Sequence, residues 1–194
     1  MRAVFASRNA HKTEQVALLL ADVDLVPLDE ISPGLLLSEP YDTFEANALA
    51  KARVVAAATG LPALADDSGL EVDALGGAPG VRSARYAGEG ASDADNNRKL
   101  VDELRRLPAP QLACRYRCVA ALVSPEGIEL VAHGECEGEI VLLGRGRLGF
   151  GYDPHFVPRG ESRTMAEIPL EEKLVFSHRG RAFRELARRM RAAS

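Results

Sequence analysis

No stretch of this sequence approaches the ~18 consecutive apolar residues of a membrane-spanning helix, and Ala3–Ala6 is too short for a secretory signal. Cysteine is scarce. Cys114, Cys118 and Cys136 are an odd number with no Cys-x-x-Cys pair, so neither a disulfide framework nor a zinc site is expected. They read as small buried apolar residues of a reduced, cytoplasmic protein. Positive charge is not in excess either: 24 Lys+Arg against 28 Asp+Glu leaves a net charge of −4. No global basic field points to nucleic acid, and an anionic substrate would need a local basic patch or a metal ion. A Gly-x-x-x-x-Gly-Lys loop is missing, as is a Ser-His-Asp order with nucleophile-elbow glycines, which removes P-loop and acyl-transfer chemistry. With no repeat, low-complexity tract or dividing linker, the 194 residues read as one domain, residues 1–194.

What is present alternates between short apolar strands and amphipathic helices. Ala3–Ser7 predicts a strand that ends in Ser7-Arg8-Asn9-Ala10-His11-Lys12, and a helix follows with Val16, Leu19 and Leu20 on one face. Leu25–Leu28 predicts a second strand and Ile31–Tyr41 a Pro/Gly-containing connection. The next helix opens with Asp42 and Glu45 in capping-box register and stops at Gly60 and Pro62. A strand over Ala63–Ala65 then delivers Asp66 and Asp67. Ser92 and Asp95 cap a further helix, running to about Leu107. Ala113–Val123 and Ile128–Glu135 predict strands joined by a Ser124–Gly127 turn. The final helix carries Phe183, Leu186 and Met190 on one face, with Arg188, Arg189 and Arg191 as its solvated end. This order predicts an α/β fold with a mixed sheet.

Three polar clusters fall at strand ends or helix starts, where open α/β sheets place ligands. Ser7–Lys12 joins a polar turn to a helix N-terminus with a lysine beside it, which suits phosphate and equally a plain capped helix. Asp66 and Asp67, with Glu39 in an upstream loop, are the oxygen donors that Mg²⁺ prefers, or else a turn with solvated charge. Phe150-Gly151-Tyr152-Asp153, Lys173 and Ser177-His178-Arg179-Gly180 offer an aromatic platform and donors for a base carbonyl. Taken together, the three describe a Mg²⁺-dependent enzyme acting on a nucleoside triphosphate.

The motifs SRNAHK, TFEANALAKA, ADDSGLEVDALGGAPGVRSARYAG, GFGYDPHF and EEKLVFSHRGRA occur in this order along nearly the whole chain. In them the sequence resembles the inosine triphosphate pyrophosphatase family. The resemblance implies a two-lobed, mixed-sheet α/β fold with flanking helices and a central substrate cleft, in a cytoplasmic homodimer. It implies hydrolysis of ITP, dITP and XTP to the monophosphate and pyrophosphate, with no nucleic-acid or membrane partner. By position, Ser7 to Lys12 (Arg8, Asn9, Ala10 and His11 included) would line the triphosphate site, and Glu39 and Asp67 would hold Mg²⁺. Asp67 would also accept the proton of the attacking water. Ser68 would touch substrate, while Phe150, Gly151, Tyr152, Asp153, Lys173, His178 and Arg179 would enclose the base.

Two positions depart from the family pattern. Arg8 stands for the usual glycine, at a cost of about 1 kcal/mol or more if that turn needs positive φ. Ala46 stands where a second glutamate is common, which leaves Glu45 as the acidic residue there. Two alternatives differ from this reading: a pyrophosphatase of the same fold for pyrimidine or methylated nucleotides, and a non-catalytic nucleotide-binding module. The second would have no use for Glu39, Asp66 and Asp67 together.

Overall fold

A computed structural model describes residues 1–193. The chain begins with strand β1, Arg2–Phe5, whose Ala3, Val4 and Phe5 are fully buried. Helix α1, Ala10–Leu19, starts at Asn9, whose side-chain oxygen accepts the Lys12 N–H at 3.2 Å. β2, Asp24–Pro27, lies parallel to β1. Leu28, expected to end that strand, instead opens the single-turn helix α2, Leu28–Ile31.

Helix α3 spans Phe44–Thr59. Its cap is Thr43 rather than the expected Asp42: the Thr43 hydroxyl accepts the Ala46 N–H at 3.2 Å, one of the donors a helix start leaves over. Gly60 ends the helix in the left-handed conformation (φ 66°) that a residue without Cβ adopts most cheaply. Thr43→Ala should cost about 1 kcal/mol, within the usual ~0.5–2 for a lost cap, read as a lower urea midpoint with an unchanged m-value.

Strand β3 is the main correction. It runs from Ala63 to Val72, ten residues, so Asp66 and Asp67 sit in mid-strand and not at its tip. Two carboxylates interrupt a buried strand without ending it because each finds partners, as the site geometry below makes plain. Next come α4, Asp93–Arg105, with Ser92 and Asp95 forming the expected capping box, and the hairpin strands β4, Ala113–Val123, and β5, Glu129–Ile140. α4 thus stops two residues short of Leu107, and β5 outruns its predicted end. β6, Phe156–Pro158, pairs antiparallel with β5. Helices α5, Leu170–Phe176, and α6, His178–Ala192, complete the chain.

The strands form one sheet in the order β2-β1-β3-β4-β5-β6, with parallel and antiparallel pairs, flanked by helices. Two compact units divide the chain. The first comprises Met1–Asp67, Cys118–Gly134 and Arg179 onward; the second comprises Ser68–Arg117 and Glu135–His178. In the first, Phe5, Val16, Leu64, Leu122, Phe183 and Leu186 form a core, and Phe5 meets Phe183 edge-on at 6.2 Å. In the second, Leu70, Leu100, Leu104, Tyr116, Ile140 and Phe156 do so. The three cysteines are free and buried, as their composition suggested. Arg188 and Arg189 of α6 both pair with Glu185 one turn back. Among the described residues no helix is long and apolar enough to cross a membrane.

Candidate active site

Successive side chains of an extended strand face opposite ways, and Asp66 and Asp67 use this. Asp66 meets α1 and α6. Its Oδ2 accepts Nε and Nη2 of Arg179 at 3.1 and 2.9 Å, and its Oδ1 takes Lys12 Nζ at 3.1 Å. Burial alone would raise this carboxyl; the charges of Lys12, Arg179 and Lys51 outweigh it and hold the group well below the usual carboxylate range. Asp66 is therefore a buried anion fixed between two cations.

Asp67 meets α3 instead. Its Oδ2 accepts Asn47 Nδ2 at 3.0 Å, and its Oδ1 lies 3.8 Å from Lys51 Nζ. Lys51 Nζ also donates to Glu39 Oε1 at 2.5 Å and to the Asp66 carbonyl at 2.6 Å. Burial pushes Asp67 up to about 6, the Lys51 charge opposes this, and the Glu39 charge adds to it. For Lys51 burial works downward, but the charges of Asp67, Glu39 and Asp66 win and its pKa is raised. One ammonium is thus shared by two side-chain carboxylates and a carbonyl. The first unit holds a firmly ionised anchor, Asp66, beside a carboxyl pushed up to about 6, Asp67.

The second unit has its own polar cluster. Lys173 Nζ donates to Asp153 Oδ2 at 2.8 Å, and the Tyr116 hydroxyl donates to Asp153 Oδ1 at 3.2 Å. Burial keeps the Asp153 carboxyl raised against the pull of Lys173. The His178 ring stacks on Tyr116 with centroids 4.6 Å apart and planes 11° from parallel. The GFGYD loop closes over the ion pair: at Gly149, φ +80°, a Cβ would overlap Asp153 Oδ2 and crowd Lys173 Nζ, so only glycine fits. Gly151 donates its N–H to Asp93 at 2.6 Å and accepts Asn97 Nδ2 at 2.8 Å, which pins the loop to α4.

With this geometry in view, the sequence profile of the Ham1 family matches residues 3–189. The chain belongs to the Ham1 family. It is 50% identical over 183 residues to a curated dITP/XTP pyrophosphatase of Geobacter sulfurreducens, covering 93% of this chain and 92% of the relative. It is 47% identical over 197 residues to one of Frankia alni, covering 98% of each. Among solved structures, a Ham1 protein from Coxiella burnetii matches with a TM-score of 0.90 at 41% identity over 99% of both chains. The Staphylococcus aureus Ham1 protein matches with 0.89 at 36% identity over 100% of both.

In this Ham1 chain the expected site residues have distinct surroundings. Ser7 and Lys12 are half-buried at the start of α1, while Arg8, Asn9, Ala10 and His11 are exposed. Arg8 is not in the left-handed region, so the lost glycine costs no such strain. Its guanidinium turns away to Asp29 at 2.7 Å and to the carbonyls of Pro33 and Leu35, tying down the segment that leads to Glu39. Ala46 lies in the first turn of α3, where Glu45 pairs with His133 at 3.2 Å. Ser68 and Phe150 are half-buried, and Tyr152 donates to the Ser83 carbonyl at 2.8 Å. Arg179, expected at the base with His178, has its Nη1 on Gln15 at 2.9 Å and the rest of its fork on Asp66.

Asn47, Lys51 and Tyr116 escaped the sequence reading. For the α3 pair a signal exists. The buried positions of α3 are 44, 47, 48, 51, 52, 55 and 56, a helical stripe in which Asn47 and Lys51 are the polar members. A lysine and an amide on the apolar face of a helix need buried acceptors.

Proposed function

We propose that this Ham1 protein hydrolyses deaminated purine nucleoside triphosphates (ITP, dITP and XTP) to the monophosphate and pyrophosphate. The relatives named dITP/XTP pyrophosphatase support the activity. The observation that carries the site is Asp67, a buried carboxyl placed among Asn47, Lys51 and Glu39 with its pKa pushed up to about 6.

A divalent ion fits this cluster. Glu39 and Asp67 present two carboxylates with a single ammonium between them, and burial with the Glu39 charge raises Asp67 despite that ammonium. Among the described residues no cluster of three or more His, Cys, Asp or Glu side chains has metal-binding geometry. An ion here would use Glu39 and Asp67 and take its other ligands from substrate oxygens and water, the habit of Mg²⁺. When bound it would offset the phosphate charge and polarise the phosphoryl oxygens.

The chain's own residues supply the rest. Asp67 accepts a proton from the water as its oxygen bonds to the α-phosphorus, and the bond to the bridging oxygen of the β-phosphate breaks. Asn47 fixes the orientation of that carboxylate. Lys51 holds Glu39 and Asp67 in register, and Lys12 with the N-terminus of α1 favours the phosphate charge. At the base, His178, Lys173 and the Phe150–Asp153 loop recognise the purine, and N–H groups there donate to a C6 carbonyl but leave the adenine amine unmatched. Arg179 enters with Lys12 and Lys51 among the cations that keep Asp66 ionised. The homodimer and the cytoplasmic setting belong to this reading too; sedimentation at micromolar concentration tests the first.

The experiment is pyrophosphate release over ITP, dITP, XTP, ATP, GTP and the pyrimidine triphosphates, with Mg²⁺ and with chelator. ITP and XTP should exceed ATP in kcat/KM by at least roughly 10², below the ~10⁴–10⁵ available to a site built around one hydrogen-bonding group. Chelator should abolish the rate. Equal rates on ATP, or release of orthophosphate, would overturn the proposal.

A further inference from the structure

Tyr116 belongs to none of the sequence motifs, yet it touches two of the residues assigned to base recognition. It sits on β4 in the core of the second unit, 7% exposed. One face of its ring carries His178 in a near-parallel stack, and Phe156 lies 4.6 Å away at 44°. Its hydroxyl reaches Asp153 Oδ1, while the other carboxylate oxygen is taken by Lys173. An apolar β-strand position needs no hydroxyl, and a buried phenol without an acceptor would be a liability. Here the phenol completes a chain, Tyr116 to Asp153 to Lys173, over which the Phe150 loop is folded with Gly149 in contact.

We propose that Tyr116 is a positioning residue for base discrimination. Its ring fixes the plane of His178, and its hydroxyl fixes the carboxylate that holds Lys173 and the loop. The two tasks belong to different atoms of one side chain and separate by substitution. The inference rests on the assignment of His178 and Lys173 to the base.

The test compares kcat and KM on ITP and ATP for the native protein, Tyr116→Phe, Tyr116→Leu and each with His178→Ala. Tyr116→Phe keeps the stack and loses the hydrogen bond. KM for ITP should rise roughly three- to tenfold, the effect of one lost bond to a carboxylate felt at second hand, with kcat within twofold. Tyr116→Leu removes the stacked ring from the imidazole, and the ITP-to-ATP ratio of kcat/KM should fall about tenfold, the upper worth of a lost aromatic pair. In the His178→Ala background the same Leu substitution should leave that ratio unchanged, because the residue it acts through is gone. A ratio that holds in Tyr116→Leu while only the melting temperature drops would overturn the proposal, as would an unchanged KM in Tyr116→Phe. If the Leu variant does not fold, the KM-against-kcat split of the Phe variant decides alone. A native protein that does not prefer ITP overturns the functional reading itself, and the inference with it, before any variant is compared.

Discussion

Asp67→Asn is expected to lower turnover by roughly 10²–10⁴, the usual worth of a positioned general base, while the metal-free protein melts several degrees higher at pH 7.5. The two effects share one cause. In the fold, burial and Glu39 raise the Asp67 carboxyl to about 6, against the ordinary 3.8. A group raised in this way binds its proton more tightly when folded. Its contribution to stability is therefore complete below about pH 4 and is lost as pH rises to about 6. At neutral pH the fold holds an anion it would prefer neutral, and Asn removes that penalty while still accepting from Asn47. Near pH 4 the native carboxyl is itself protonated, so the two melting curves should converge. Activity runs the other way, since a base must be ionised: kcat/KM should fall tenfold per unit below the same midpoint. A divalent ion favours the carboxylate and should move that midpoint down. Scanning calorimetry of both proteins between pH 4 and 8, with and without Mg²⁺, is the measurement. Turnover within a few-fold of native removes Asp67 from the chemistry; a lower melting temperature at pH 7.5 removes the strain argument.

How much of this could be read from the residues depends on how far apart the interacting groups lie in sequence. The β1–turn–α1 start, the stop at Gly60, the Ser92–Asp95 cap and the β4–β5 hairpin are local: each signal sits within a few residues of what it dictates. The continuation of β3 through two aspartates is not. What makes Asp66 tolerable in mid-strand is Lys12, 54 residues away, and Arg179, 113 residues away. Without those partners a turn is the sound expectation.

Arg179 teaches the same lesson more sharply. It neighbours His178 in the SHRG motif, and both are donors that the family resemblance implies enclose the base. Both lie at the start of α6, where successive side chains point about 100° apart. One stacks on Tyr116 and the other reaches Asp66. Asn47 and Lys51 were legible in principle, as polar members of an apolar stripe, but the stripe has to be drawn before they stand out.

Asp66 carries the largest expected loss of stability. Asp66→Asn removes a negative charge on which Lys12 and Arg179 converge, and leaves the guanidinium, 2% exposed, with less counter-charge than it was folded around. Breaking a buried ion pair from one side costs about 3–5 kcal/mol, which in a chain of this size lowers the melting temperature by roughly 10 °C. The pH dependence is opposite to that of Asp67. A carboxyl held below its ordinary range stabilises the fold above about pH 4, and that contribution drains away as pH falls through its depressed value. The gap between native and Asp66→Asn should therefore be full at pH 7 and begin to close only below about pH 4. Removing the cation as well separates charge from packing: Asp66→Asn with Arg179→Met should recover part of the loss, because an uncompensated buried charge costs more than an absent pair. Urea unfolding of the two single variants and the double at pH 7 decides it. A double variant whose losses simply add would mean that Arg179 and Asp66 are not coupled, and that Lys12 and Lys51 hold the ionised anchor without it.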